Sequence, residues 1–152
     1  METQMHTHGV EGLIVLLCLV IVAVCLVPLI FYLLTLQRAL SRCSVECRTL
    51  SPGLVWLLLI PLFSLVWHFI VVTRLAKSLH NEFANRNIVA EPTPGQGIGL
   101  AMCILAAASV IPYVGGLTGI AAFICWIIYW VKIANYSARL LEPAGQPAAP
   151  AR

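Results

Sequence analysis

The sequence predicts an all-α integral membrane protein, a four-helix bundle of membrane-spanning helices with an amphipathic surface helix after the second span. Hydrophobic residues make up 61% of the chain and charged residues only 10%, whereas soluble domains hold about 45–50% apolar and about 25% charged residues. Four long apolar runs also occur, at about residues 13–36, 54–73, 98–114 and 117–134. Lipid is therefore expected to surround most of the chain.

The first run is long enough to span a membrane, since about 20 apolar residues cross a hydrocarbon core roughly 30 Å thick. Residues 1–12 precede it as a polar N-terminal tail without Lys or Arg. A cleavable signal peptide has a basic start and a shorter apolar region. We therefore interpret residues 13–36 as a retained transmembrane helix.

The second run starts after Ser51-Pro52-Gly53, a typical helix start with Pro near the first turn. Beyond residue 73 the apolar side chains recur every four residues. This spacing predicts an amphipathic helix at the membrane surface. Its apolar face holds Leu75, Leu79 and Phe83, and its polar faces hold Lys77, His80, Glu82 and Arg86.

The third and fourth runs are separated only by the turn sequence of residues 112–116. They are interpreted as two spans in a hairpin, and a re-entrant hairpin is the alternative. Four glycines are packing candidates, because small residues let membrane helices approach closely, within one chain or between chains. These are Gly95, Gly99, Gly115 and Gly119. Residues 142–152 form a Pro/Ala-rich tail that is predicted to be disordered.

A short pattern occurs twice: an Ile-Pro pair, a later Trp, and a basic residue six or seven positions after that Trp. The members are Ile60, Pro61, Trp67 and Arg74, and then Ile111, Pro112, Trp126 and Lys132. If the pattern is a repeat, the second and fourth runs point the same way through the bilayer. The alternative is an ordinary aromatic belt followed by a snorkelling basic residue.

The distribution of basic residues predicts the orientation. With four spans, the termini and the middle loop share one side and carry six Lys and Arg, against three in the first loop. Because cytoplasmic loops are enriched in Lys and Arg, both termini are predicted to be cytoplasmic. The base-free N-terminal flank of the first run argues locally for the opposite orientation.

Two cysteines in the first loop, Cys43 and Cys47, are four residues apart and flanked by Arg42 and Arg48. Neighbouring arginines lower a thiol pKa, and an oxidising compartment would permit a disulfide. Inert thiols and, less directly, metal or redox chemistry are the alternatives. Since a structural zinc site needs four ligands, no metal or cofactor is predicted.

His68 is an intramembrane polar candidate, because ionisable groups within apolar runs often serve function. A structural hydrogen bond is the alternative. No Asp or Glu lies within an apolar run, and no familiar catalytic motif occurs. The chain is therefore predicted not to be an enzyme.

The leading functional hypothesis is an accessory or assembly subunit that acts by helix–helix interaction. An oligomeric channel or small-solute transporter, lined by the glycine-rich third and fourth spans, is the alternative. The expected partners are the lipid bilayer and either a second copy or another membrane protein. Nucleic acid is excluded as a partner, since no soluble face clusters Lys and Arg.

Three stretches resemble small bacterial inner-membrane proteins with several spans and no assigned activity. They are residues 60–79, 113–117 and 126–137. The resemblance covers about the last two-thirds of the chain. It implies a multi-span helical fold in the inner membrane of a bacterium, and it implies no site residue.

Overall fold

The computed structural model describes the backbone of residues 2–141 and the side chains of residues 11–141. Five helices occur in this part: α1 (Glu2–Arg42), the 3-10 helix η1 (Pro52–Leu59), α2 (Pro61–Asn85), α3 (Gln96–Ala108) and α4 (Gly115–Arg139). No strand occurs among the described residues, so the all-α prediction is confirmed. The tail predicted for residues 142–152 lies outside them.

Three helices are long and apolar enough to span a membrane: the Glu11–Arg42 part of α1, α2 and α4. They fit the prediction of a transmembrane protein. Helix α3 has 13 residues and is therefore about 20 Å long, less than the roughly 30 Å of a hydrocarbon core. A bundle of four spanning helices is accordingly not confirmed.

The chain forms two compact units, Met1–Leu33 and Leu34–Arg152. The first unit is a single helix, because α1 already begins at Glu2, where the sequence predicted a polar tail through residue 12. Large apolar side chains at residues 13–27 are 41–66% exposed. A helix that is apolar on every face is typical of a membrane span.

The second unit has a buried core that is built from all five helices. In it α2 packs against η1 and α3, and α3 packs against α4. The largest buried apolar side chains of this core include Leu36 and Leu40 of α1, Val55 of η1, Val71, Leu75, Leu79 and Phe83 of α2, Met102 of α3, and Tyr129 and Ile133 of α4.

The second apolar run folds back on itself and does not form the predicted single helix. Ile60 has an extended backbone between η1 and α2, as expected of a residue that precedes proline. The indole Nε1 of Trp67 donates a hydrogen bond to the carbonyl oxygen of Leu54 at 2.9 Å. Residues 54–73 therefore form a hairpin, here called the first hairpin, with its tip at Ile60 and Pro61.

The third and fourth runs form a second hairpin of α3, a turn at residues 109–114, and α4. The turn overlaps the predicted one at residues 112–116. It is closed by a hydrogen bond from the backbone N–H of Gly115 to the carbonyl oxygen of Ile111 at 2.8 Å.

The predicted amphipathic surface helix is the unbroken second half of α2. Its apolar face, Leu75, Leu79 and Phe83, is buried inside the protein rather than resting on lipid. Asn87 ends the helix with a left-handed φ of 53°. The N–H of Ile88 then donates to the Phe83 carbonyl at 2.9 Å, the pattern of a Schellman cap.

Candidate functional site

The C-terminal ends of α1, α2 and α4 meet in a polar region that we call the basal cluster. Its residues are Arg42, Ser44, Glu82, Arg86, Ser137 and Leu140. Nη1 of Arg42 donates to both the carbonyl oxygen and Oγ of Ser137 at 2.7 Å. Nη1 of Arg86 donates to the carbonyl oxygen of Leu140 at 2.9 Å. Cations at these positions complement the unpaired carbonyls of helix C-termini.

This arrangement fixes the relative direction of α2 and α4. Because Arg86 follows the end of α2 and Leu140 follows the end of α4, their hydrogen bond means that both helices end in the same region. Val72 of α2 and Tyr129 of α4 also lie against the same residue, Gly99. The two helices therefore run side by side and point the same way, as the Ile-Pro pattern would require of a repeat. The ancestry of that pattern stays a prediction.

Glu82 is the buried charge of the basal cluster, with only 2% of its surface exposed. Its carboxylate accepts hydrogen bonds from the backbone N–H and Oγ of Ser44, both at 2.7 Å, and from Nε of Arg86 at 2.7 Å. Buried carboxylates are tolerated when paired in this way. The sequence-based assignment of Glu82 to an exposed polar face is therefore wrong.

The loop between α1 and η1 is hydrogen-bonded to α2 at residues 74–81, N-terminal to Glu82. The N–H of Thr49 donates to Oγ of Ser78 at 2.9 Å, and Oγ1 of Thr49 donates to the carbonyl oxygen of Arg74 at 2.8 Å. Nδ2 of Asn81 donates to the carbonyl oxygen of Cys47 at 3.3 Å. The segment that leads into the first hairpin is thus tied to the part of α2 that follows it.

Cys43 and Cys47 are both free thiols in the structure. Cys43 is buried, and its Sγ donates to the carbonyl oxygen of Ala39 at 3.4 Å. Burial, followed by the nearby charge of Glu82, raises the pKa of Cys43 to about 12. The prediction that flanking arginines lower this pKa is wrong, because burial outweighs them. A neutral thiol is a poor nucleophile and a poor metal ligand.

The glycine candidates divide into two groups. A Cβ at Gly99 would lie 2.5 Å from Cγ1 of Val72 and 2.8 Å from Cε2 of Tyr129, and a Cβ at Gly95 would lie 3.4 Å from Cδ1 of Ile133. These two glycines face α2 and α4 of their own chain. The other two are Gly115, which lies against the Ser109 carbonyl, and Gly119, which is in ordinary contact with Ser109.

His68 lies half-buried on α2, within the first hairpin. Among residues 11–141, no group of three or more His, Cys, Asp or Glu side chains could hold a metal ion. The structure therefore does not bring His68 together with the cysteines that the sequence analysis selected.

A second polar contact closes the base of the second hairpin. Nζ of Lys132 lies 3.0 and 2.9 Å from the carboxylate oxygens of Glu91, and Oη of Tyr136 donates to Oε2 at 2.9 Å. These hydrogen bonds hold the pKa of Glu91 below its usual value. Arg139 completes the lining of a cleft of about 290 Å³, which Asn135 also lines. An apolar cleft of about 310 Å³ adjoins it along Ile127, Ile128 and Val131.

The chain was compared with protein-family models, with curated proteins and with solved structures, and none of them matches.

Proposed function

We propose that the chain is a non-enzymatic integral membrane protein of the bacterial inner membrane, acting as an accessory or assembly subunit through helix–helix interaction. The supporting observation is the contrast within α1. Its apolar side chains at residues 13–27 are 41–66% exposed, whereas the part of α1 after Leu33 carries the buried residues Leu36, Ala39 and Leu40. The uncovered stretch is the surface offered to a transmembrane helix of another membrane protein.

The most polar side chains in and next to this stretch share one face of α1. Glu11, Cys18 and Cys25 recur every seven residues, and both cysteines are exposed. Residues seven apart form a stripe along a helix that a left-handed partner helix can follow. Such packing favours small side chains in lipid, since backbones can then approach closely. The stripe therefore selects the positions to test.

The test is affinity purification from membranes in a mild detergent, with identification of the co-purified protein. Replacing both stripe cysteines by leucine (Cys18→Leu, Cys25→Leu) adds bulk to the stripe, and we expect it to reduce recovery of the partner at least fivefold. Ala23→Leu adds the same kind of bulk on nearly the opposite face of the helix and serves as the matched control. The proposal fails if wild-type chain recovers no partner, or if all three chains recover it equally.

Flux through reconstituted liposomes is the decisive experiment for the alternative, an oligomeric channel or transporter. In that alternative the glycine-rich third and fourth runs line a conduit. Gly95 and Gly99, however, face Val72, Tyr129 and Ile133 of the same chain. This placement favours the accessory-subunit proposal, and solute or ion flux by the purified protein would reverse the preference.

A further inference from the structure

The first hairpin folds an apolar run that would be about 30 Å long as one helix into a length of about 20 Å, that of its longer arm. Leu54 is hydrogen-bonded to Trp67, and Thr49 is hydrogen-bonded to the carbonyl oxygen of Arg74. Both arms therefore start and end at the same level. We propose that this hairpin is re-entrant: it enters and leaves the membrane on one side, and its tip lies among the acyl chains.

The length of the apolar arm is the first argument. Residues 61–73 form the apolar half of α2 and measure about 20 Å along the helix axis, whereas the hydrocarbon core is roughly 30 Å thick. Exposed cationic side chains begin directly afterwards with Arg74 and Lys77. Because an exposed charge is costly within hydrocarbon, the lipid-facing part of α2 ends at Arg74. Although α2 as a whole is long and apolar enough to span a membrane, the arm before Arg74 alone is too short to reach the opposite face.

The chemistry of the tip is the second argument. Leu62 is 86% exposed and its neighbours Ile60 and Phe63 are exposed as well, so the tip presents only apolar side chains. Backbone within hydrocarbon must be hydrogen-bonded internally. The N–H of Ser64 donates to the Ile60 carbonyl at 2.7 Å, and the N–H of Ile60 donates to the Leu57 carbonyl at 3.2 Å. Pro61 has no N–H to satisfy.

The distribution of charge is the third argument. The chain has nine Lys and Arg, and none of them precedes residue 38. If the first hairpin does not cross, the loops at both of its ends lie on one side, together with the ends of α2 and α4 that Arg86 joins. Every Lys and Arg from residue 38 to residue 139 then lies on that side or at its interface. Enrichment of basic residues in cytoplasmic loops makes this side the cytoplasm.

This topology differs from the four-span prediction in the position of the N-terminal segment. Without the crossing of residues 54–73, the two ends of the chain lie on opposite sides of the membrane. The segment before residue 13 then lies on the outer side, because the first apolar run crosses the membrane between it and the cytoplasmic loops. The base-free N-terminal flank, which conflicted with two cytoplasmic termini, fits this orientation.

Labelling of introduced cysteines tests the proposal in intact cells and inverted membrane vesicles. Four accessible cysteines, Cys18, Cys25, Cys47 and Cys125, are replaced by alanine, and the buried Cys43 and Cys103 are retained. The reporters are Leu62→Cys at the tip, Lys77→Cys at the base, and Gly12→Cys, where a Cβ meets no atom within 4 Å. The probe is a membrane-impermeant maleimide.

We expect Lys77→Cys to be labelled only in inverted vesicles and Gly12→Cys only in intact cells. Leu62→Cys should show at least tenfold less labelling than Gly12→Cys in intact cells and than Lys77→Cys in inverted vesicles. After denaturation in SDS, its labelling should exceed that of the chain without a reporter by as much as labelling of the other two reporters does. Labelling of Leu62→Cys from the face opposite to Lys77→Cys would mean that the hairpin crosses. Labelling from the same face would place the tip in water, and either result overturns the proposal.

A depth measurement covers the case in which Leu62→Cys does not fold. Val66→Cys lies at an exposed position one turn closer to the base, and an environment-sensitive fluorophore is attached there in reconstituted liposomes. Lipids with a nitroxide on the mid-acyl chain should quench it at least twice as strongly as lipids with a nitroxide on the headgroup. The same fluorophore at Lys77→Cys should show the reverse order, and equal quenching by both lipids at both positions contradicts the proposal.

Discussion

The two hairpins of the second unit join their arms by different means. In the first hairpin the incoming arm is the 3-10 helix η1, and an indole–carbonyl hydrogen bond from Trp67 to Leu54 ties it to α2. In the second hairpin the incoming arm is α3, and the close approach of Gly99 to Tyr129 sets its distance from α4. The arms of the first hairpin are joined by a hydrogen bond. The arms of the second are joined by close packing, which the missing side chain of Gly99 permits.

The bases of the hairpins differ in the same way. Beyond the end of the first hairpin, Glu82 joins α2 to the loop after α1 as a buried carboxylate with three hydrogen bonds. Glu91 closes the second hairpin as an exposed partner of Lys132. Buried polar groups are costly when they lose a partner, and exposed ion pairs contribute little. The first hairpin should therefore be sensitive to the loss of polar groups, and the second to added volume.

The largest effect is expected from Glu82→Ala. It leaves Arg86 and the N–H of Ser44 without their carboxylate, and breaking a buried ion pair costs about 3–5 kcal/mol. Because Arg86 is partly exposed, we expect a loss of about 3 kcal/mol in the free energy of unfolding. SDS titration in mixed micelles, followed by circular dichroism, measures it. Glu46→Ala in the exposed loop is the control, and equal losses in both variants would contradict the assigned role of Glu82.

The next largest effect is expected from Gly99→Ala. The added Cβ would lie 2.5 Å from Cγ1 of Val72 and 2.8 Å from Cε2 of Tyr129, and overpacking of this kind costs about 1–3 kcal/mol. Gly97→Ala is the matched control, since its Cβ meets no atom within 4 Å. We expect about 2 kcal/mol of destabilisation at position 99 and none at position 97, measured by the same titration.

A second-site change tests the cause of that loss. Val72→Ala removes the two methyl groups that the new Cβ would meet. If the close contact is responsible, adding Val72→Ala to Gly99→Ala should cost less than the sum of the two single changes. Strict additivity would mean that the contact between α3 and α2 does not set the helix distance.

The two hairpins also differ in how much of their structure the sequence could predict. Apolar runs and the turn before Gly115 were visible locally, because composition and Pro/Gly placement are local signals. The reversal of the chain at Ile60 was not visible in the sequence, because both arms of the first hairpin are apolar and form one continuous run. The burial of Glu82 was also hidden, because its partner Ser44 lies 38 positions away and helical periodicity alone placed it on the polar face.

A smaller effect is expected from Trp67→Phe. The change removes the indole N–H that donates to Leu54, while the stacking on Phe63, with ring centroids 5.3 Å apart, can persist. A single hydrogen bond contributes about 1 kcal/mol. Hydrogen exchange should therefore accelerate about fivefold at the amides of η1 and remain unchanged in α3. Equal acceleration in α3 would show that the indole supports the whole unit rather than the first hairpin.

The smallest effect is expected at the base of the second hairpin, from Glu91→Gln. The ion pair is exposed, with 53% of the Glu91 side chain accessible, so its loss at pH 7 should cost less than about 1 kcal/mol. The pKa of Glu91 is lowered in the folded chain by hydrogen bonds from Lys132 and Tyr136. Its contribution is therefore fully present above its unfolded pKa and is lost as pH falls through the folded pKa.

The pH dependence separates this contribution from all other carboxylates. Unfolding free energies of wild type and Glu91→Gln, measured from pH 7 down to pH 3, should converge below the usual pKa of glutamic acid, about 4.3. The gap at pH 7 should also narrow in high salt, because ions screen exposed pairs. A gap that stays constant across this range would mean that Glu91 closes the second hairpin without relying on its charge. Glu82 and Glu91 would then differ in how deeply they are buried, but the second hairpin would not depend on an ion pair.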